Sequence, residues 1–177
     1  MYGIATLGPG YEHPLELLEA CHGRIEMHLA MLERLVMHLA SRGAGAESRE
    51  AARFVMRFFD SAAEQHHRDE DDDLFPRLRE RAAELGRPEV AAVIDELERD
   101  HDTMRLQWSR LRERLDALAR GVEAALIDED IVGFCWLHRR HMAHETAAIL
   151  PFAREALDPL ERAALGERMA ARRRDAA

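Results

Sequence analysis

The sequence predicts an all-α protein: an antiparallel up-down-up-down four-helix bundle with a short C-terminal fifth helix. Three observations lead there. The chain is rich in Ala, Leu, Arg and Glu and poor in Tyr, Trp and β-branched residues, a composition of helix formers. Apolar residues recur at alternating steps of three and four through four long stretches, the repeat of a single helix face. The connections between these stretches are short and carry Gly or Pro, so consecutive helices lie side by side and run in opposite directions. A length of 177 residues suits one domain with a substantial core.

Residues 1–12, with Gly3, Gly8, Pro9 and Gly10, read as an irregular N-terminal arm. His13-Pro14 starts the first helix, Pro being tolerated in a first turn. Its seam is Leu18, His22, Ile25, Leu29, Leu32, Val36 and Leu39, closed by Gly43 and Gly45. A second helix begins near Glu47 or Ser48, with an inner face of Val55, Phe59, Ala62 or Ala63, His66, Glu70, Leu74 and Leu78. Leu85-Gly86-Arg87-Pro88 is a stop followed by a start. The third seam is Val90, Ile94, Leu97, His101, Met104, Trp108, Leu111, Leu115 and Leu118, ending at Gly121. Asp128, backed by Glu129 and Asp130, caps the fourth helix. Its seam is Ile131, Phe134, His138, His141, Glu145, Ala148 and Phe152. The bundle therefore occupies residues 13–157. Residues 158–177 form a short capping helix opened by Asp158-Pro159, and Arg172-Arg173-Arg174 reads as a solvated basic tail.

The net charge of −9 argues against nucleic acid as a partner. Cys21 and Cys135 form no CxxC and no disulfide framework; they read as buried thiols in a reducing compartment. Residues 1–10 lack the basic and apolar segments of a signal peptide, and no uncharged apolar run reaches the roughly 20 residues of a membrane span. Cytoplasmic location is the expectation, as a monomer or homodimer.

Two copies of one pattern carry the chemistry. His66-x3-Glu70 is followed by Leu74-Phe75-Pro76, and His141-x3-Glu145 by Ile149-Leu150-Pro151. Residues four apart share a helix face, so each copy aims an imidazole and a carboxylate at one point. Each is preceded by a helix with a lone seam histidine, His22 and His101, giving an internal repeat of roughly 75–80 residues. Ionisable groups on core seams are costly unless paired or metal-bound. His22, His66, Glu70, His101, His141 and Glu145 thus form a candidate cage for two metal ions. With both Glu bridging and two His on each metal, an oxide or hydroxide bridge brings each ion to about five ligands, leaving a position open to a small ligand. Imidazole with carboxylate suits iron, or manganese in its place, better than a closed structural zinc site; zinc remains a substitute.

His138, one turn before His141, and His67, directly after His66, are candidates either to ligate or to orient a ligand by hydrogen bonding. His13, His28, His38 and His144 fall off the seams and read as solvated or capping. The run Asp69, Asp71, Asp72 and Asp73 reads as a wet face, Trp108 as core or a wall of the site, and Tyr11 as a residue that could reach the metals from the arm. Pro76 and Pro151 are expected to bend their helices. No residue is assigned a catalytic or organic-cofactor role.

With these residues assembled, the chain resembles the hemerythrin-like, HHE cation-binding family over roughly residues 13–155. The resemblance implies a non-haem diiron centre that binds dioxygen, nitric oxide or peroxide, with roles in sensing, iron handling or stress defence. It departs from the oxygen carriers: their third helix offers two His four apart, where here Arg105 follows His101. Their last helix bridges through a more distant Asp, where here Glu145 stands four residues on. The symmetric pattern is similar to a bacterial and mycobacterial subgroup, which shifts the expectation from oxygen carriage towards redox or iron handling. A diiron enzyme that decomposes peroxide or reduces oxygen is the alternative. A ferritin-like site, suggested by Glu19-x2-His22, Glu64-x2-His67 and Glu98-x2-His101, ranks below it because His138 breaks the spacing before His141.

Overall fold

The computed structural model describes residues 9–122, 126 and 128–175, and these form five helical rods and their connections. Most of the expected arm, residues 1–8, lies outside them; residues 9–13 form a turn. Helix α1 is Pro14–Arg42, with Pro in its first turn and a left-handed Gly43 just beyond its end. Helix α2 is one continuous rod over residues 46–84. Helix α3 is Pro88–Arg120, stopped by Gly121 at φ 79°. Helix α4 is the rod over residues 128–156, and α5 is Pro159–Asp175. A capping box starts α5: Asp158 Oδ1 accepts the Leu160 and Glu161 N–H groups while Glu161 Oε2 accepts that of Asp158.

Contacts run α1 to α2 to α3 to α4 and back to α1, the closed ring of an up-down bundle. Its apolar interior is divided in two. One cluster joins Ile25, Leu29 and Leu32 to Val55, Leu111, Leu115 and Phe134. The other joins Leu15 and Leu18 to Phe75, Leu78, Ile94 and Phe152, with Leu165 and Met169 from α5. The seam histidines and glutamates fall between the two clusters in every rod. A buried polar layer is therefore sealed above and below by hydrocarbon.

Rods α2 and α4 are not uniform α-helices. Wide π-turns occupy Phe59–Ala63 and Glu70–Leu74 in α2 and Glu145–Ile149 in α4. The last two explain the trailing prolines. Phe75 donates its N–H to the Glu70 carbonyl and Leu150 to that of Glu145, each five residues back. The next residue is Pro, which has no N–H and whose ring would strike a normally placed carbonyl four residues back; the wide turn gives it room. The extra residue also shifts the seam. Ala148, expected inside, is exposed, and Ile149 and Leu150 are buried instead.

Helix α5, of 17 residues, corrects two further readings. Arg172 and Arg173 are not a solvated tail: both bond the carboxylate of Asp69, and Arg172 also bonds Asp73. The acidic run is correspondingly not a wet face. Asp69 is 0 % exposed and Asp73 only 8 %, while Asp72 stays half exposed. α5 thus straps the side of the bundle beside the residue that precedes Glu70. Gly166 permits its close approach, since a Cβ there would stand 1.9 Å from the Tyr11 carbonyl oxygen. Tyr11 is held against α5, its ring under the Arg173 guanidinium, rather than reaching inward.

Candidate metal centre

The helices bring all six expected side chains into the polar layer. Five of them are at most 2 % exposed, and His22 is 11 % exposed. Each carboxylate divides its oxygens between two imidazoles. Glu70 places Oε1 3.1 Å from His66 Nε2 and Oε2 3.4 Å from His101 Nε2. Glu145 places Oε2 3.0 Å from His22 Nε2 and Oε1 3.5 Å from His141 Nε2. Two donor groups result: His22, His66, Glu70 and Glu145 in one, and Glu70, His101 and His141 in the other, with donor atoms within 4.8 Å of one another.

The donor chemistry fits a pair of cations. His22 Nε2, His66 Nε2, Glu70 Oε2 and Glu145 Oε2 are buried with no hydrogen-bond partner. Leaving such groups unsatisfied is costly, and a cation among them removes the cost. Neighbouring donors about 2.1 Å from one ion stand about 3 Å apart, close to the spacing of these atoms. Without metal, protons carry the charge. Burial, with Glu145 alongside, pushes the Glu70 carboxyl well above the usual range. Burial alone would also raise Glu145, but His141 and His22 outweigh it and hold it well below. Burial disfavours a charged His141, yet Glu145 and Asp100 overcome this and lift it to about 9. His101 donates from Nδ1 to Asp71 Oδ1 at 2.7 Å, so its Nε2 is left to accept from the protonated His141 Nε2 at 3.0 Å. A metal at this position replaces a proton already shared there.

Carboxylates outside the six steer the rings. Asp71 bonds His101 and is in turn bonded by Arg105 at 3.3 Å. Asp100 stands 3.7 Å from His141 Nδ1 and is bonded by Arg140. Burial works against charge on both Asp, but these His and Arg contacts hold each below the usual carboxylate range. Their positions, one residue after Glu70 and one before His101, were the available signal, hidden for Asp71 inside an acidic run.

His67 and His138 are buried beside the centre but belong to neither donor group. His67 stacks on His101 at 4.2 Å between ring centres. His138 donates from Nδ1 to the Phe134 carbonyl at 2.9 Å. Burial drives His138 down to about 4 and His67 well below its usual value. His28, expected at the surface, is buried: its ring stacks 3.7 Å from Phe58, and Nδ1 donates to the Arg24 carbonyl. Glu19, Glu64 and Glu98 of the ferritin-like spacing lie at the surface. Both cysteines are free and buried; Cys135 is pushed up to about 12, first by burial.

Bundle and centre together define a cation-binding helical protein. The model of the hemerythrin HHE cation-binding domain matches residues 13–153, most of the chain. The chain belongs to the hemerythrin HHE cation-binding family. That family binds metal cations, typically iron, and small ligands such as oxygen. An uncharacterized protein of Haemophilus influenzae strain Rd is 29 % identical over 163 residues, covering 92 % of this chain and 91 % of its own length. No described helix is long and apolar enough to cross a membrane.

Proposed function

We propose that the chain holds two iron ions, one among His22, His66, Glu70 and Glu145 and the other among His101, His141 and the same two carboxylates. Each ion then has four protein donors, and positions remain for a shared bridge and a small ligand. Iron supplies redox chemistry and ligand binding that no side chain here offers. The protein's part is to aim four imidazoles and two carboxylates at one layer, to fix His101 through Asp71, and to exclude bulk water with the two apolar clusters. The function is binding of dioxygen, nitric oxide or peroxide in sensing, iron handling or stress defence, in the cytoplasm. The supporting observation is that each carboxylate offers one oxygen to each imidazole pair. Metal analysis of Glu70→Gln and Glu145→Gln tests it: each is expected to hold at most one iron per chain, and two irons in both would refute the bridging roles.

The open positions also favour a second reading, a diiron enzyme that decomposes peroxide. Stopped-flow mixing of the iron-loaded chain with hydrogen peroxide decides between them. Turnover no faster than free iron removes the enzyme.

A further inference from the structure

The π-turn Phe59–Ala63 carries none of the six donors, yet such turns recur at functional positions in helices. Beside it is a cavity of about 30 Å³. That is about twice what one water requires by the same measure. Aromatic rings wall it, Phe59 lying 4.9 Å from Trp108 and 5.2 Å from Phe134 between centres. Trp108 is pinned because its Nε1–H donates to Asp60 Oδ1 at 3.0 Å, and Asp60 belongs to the same π-turn. The exposed residues Glu64 and Arg105 also line the cavity, which places its mouth at the surface.

His67 and His138, both buried, also line the cavity. His67 stacks directly on His101 and lies 6.1 Å from His141. The bond from His138 Nδ1 to the Phe134 carbonyl fixes the proton on Nδ1. Nε2, at the far end of the ring from the helix backbone, is therefore an acceptor. Arg105 at the mouth already bonds Asp71 and Asp102, so an anion beside His138 would lose its water without a free counter-charge, whereas a neutral ligand bearing an O–H can donate to Nε2.

We propose that this cavity admits the small ligand to the His101–His141 side of the centre, and that His138 selects neutral hydroperoxides over anions. The inference rests on the diiron reading and names the ligand class and route. The test uses iron-loaded chain, with iron content and the optical change on adding hydrogen peroxide or azide as readouts. Wild type, Ala63→Met, His138→Leu and His138→Gln are compared. All four are expected to keep two irons. Ala63→Met, which fills the cavity from its wall, should slow the response to peroxide at least tenfold. His138→Leu should weaken the peroxide response about fivefold, the worth of one hydrogen bond, and the azide response less than twofold. His138→Gln, whose amide oxygen accepts, should recover most of the loss. Two irons with unchanged peroxide kinetics in both Ala63→Met and His138→Leu overturns this proposal alone. Equal losses for peroxide and azide in His138→Leu overturn the selection, and loss of iron in that variant makes His138 a ligand instead. A wild-type chain that takes up no iron pair overturns the diiron reading and this proposal with it.

Discussion

Replacing Arg172 and Arg173 together by Ala separates a strap from a tail. In the fold both guanidiniums bond Asp69, which is 0 % exposed, and their own side chains are 13 % and 25 % exposed. Removing both leaves a buried carboxylate without a counter-charge, which costs about 3–5 kcal/mol for a broken buried pair. For a chain of this size about 1 kcal/mol moves Tm by roughly 2–4 °C, so the loss corresponds to roughly 6–20 °C. The assay is thermal unfolding of the metal-free protein with chelator present, so that bound metal does not mask the change. Arg173→Ala alone removes both of its bonds to Asp69 but leaves Arg172 in place, and should cost about 2–3 kcal/mol. Asp69 immediately precedes Glu70, so the double variant should also release metal to a chelator faster than wild type. A Tm shift of the double variant below 2 °C would show that the basic segment is solvated after all, and that the strap contributes nothing to the polar layer.

Three further outcomes are expected. Asp71→Asn and Asp100→Asn should each weaken iron affinity about 10- to 100-fold through loss of ring orientation, read by competition with a chelator; unchanged affinity contradicts the steering role. Metal binding near pH 7 should release at least one proton, since His141 sits near 9 without metal, and the raised Glu70 carboxyl works in the same direction. Calorimetry in buffers of differing ionisation enthalpy measures this, and zero release contradicts it. Between pH 6.5 and 9, above the range in which the depressed His66, His67 and His138 act, the metal-free fold should lose stability as pH climbs. A raised His141 stabilises fully below 6.5, and that contribution, about 3 kcal/mol, is lost on passing through 9. Glu70, also raised, acts in the same direction from just above 4.5. Denaturant midpoints that rise between pH 6.5 and 9 would contradict the pairing of His141 with Glu145.

The four seams were legible because three-four spacing of Leu, Ile, Val and Phe is a strong helix signal, and because His and Glu stand out on such seams. The six candidate residues were picked out in this way, and the fold gathers all six into two adjoining groups. What escaped was register and partnership. A π-turn adds one residue without changing residue type, so periodicity placed Ala148 inside where Ile149 and Leu150 belong. Pro76 and Pro151 were the sequence trace of those turns, readable as bends but not as widened turns. The Phe59–Ala63 turn has no proline to announce it. Asp69 and Asp71 could not be told from Asp72 by composition, since only the approach of α5 and His101 gives them partners. The arginines that bind Asp69 lie more than a hundred residues away in sequence, beyond any local pattern. His28 was misplaced for a similar reason, because the Phe54 and Phe58 rings that cover it come from a neighbouring rod.

Metal content combined with an optical spectrum of the purified chain bears most directly on the central claim. Two irons per chain, with the near-ultraviolet charge-transfer bands of a bridged diferric pair, is the expected result. A single tetrahedral zinc per chain, or a folded protein that takes up no metal at all, would contradict it.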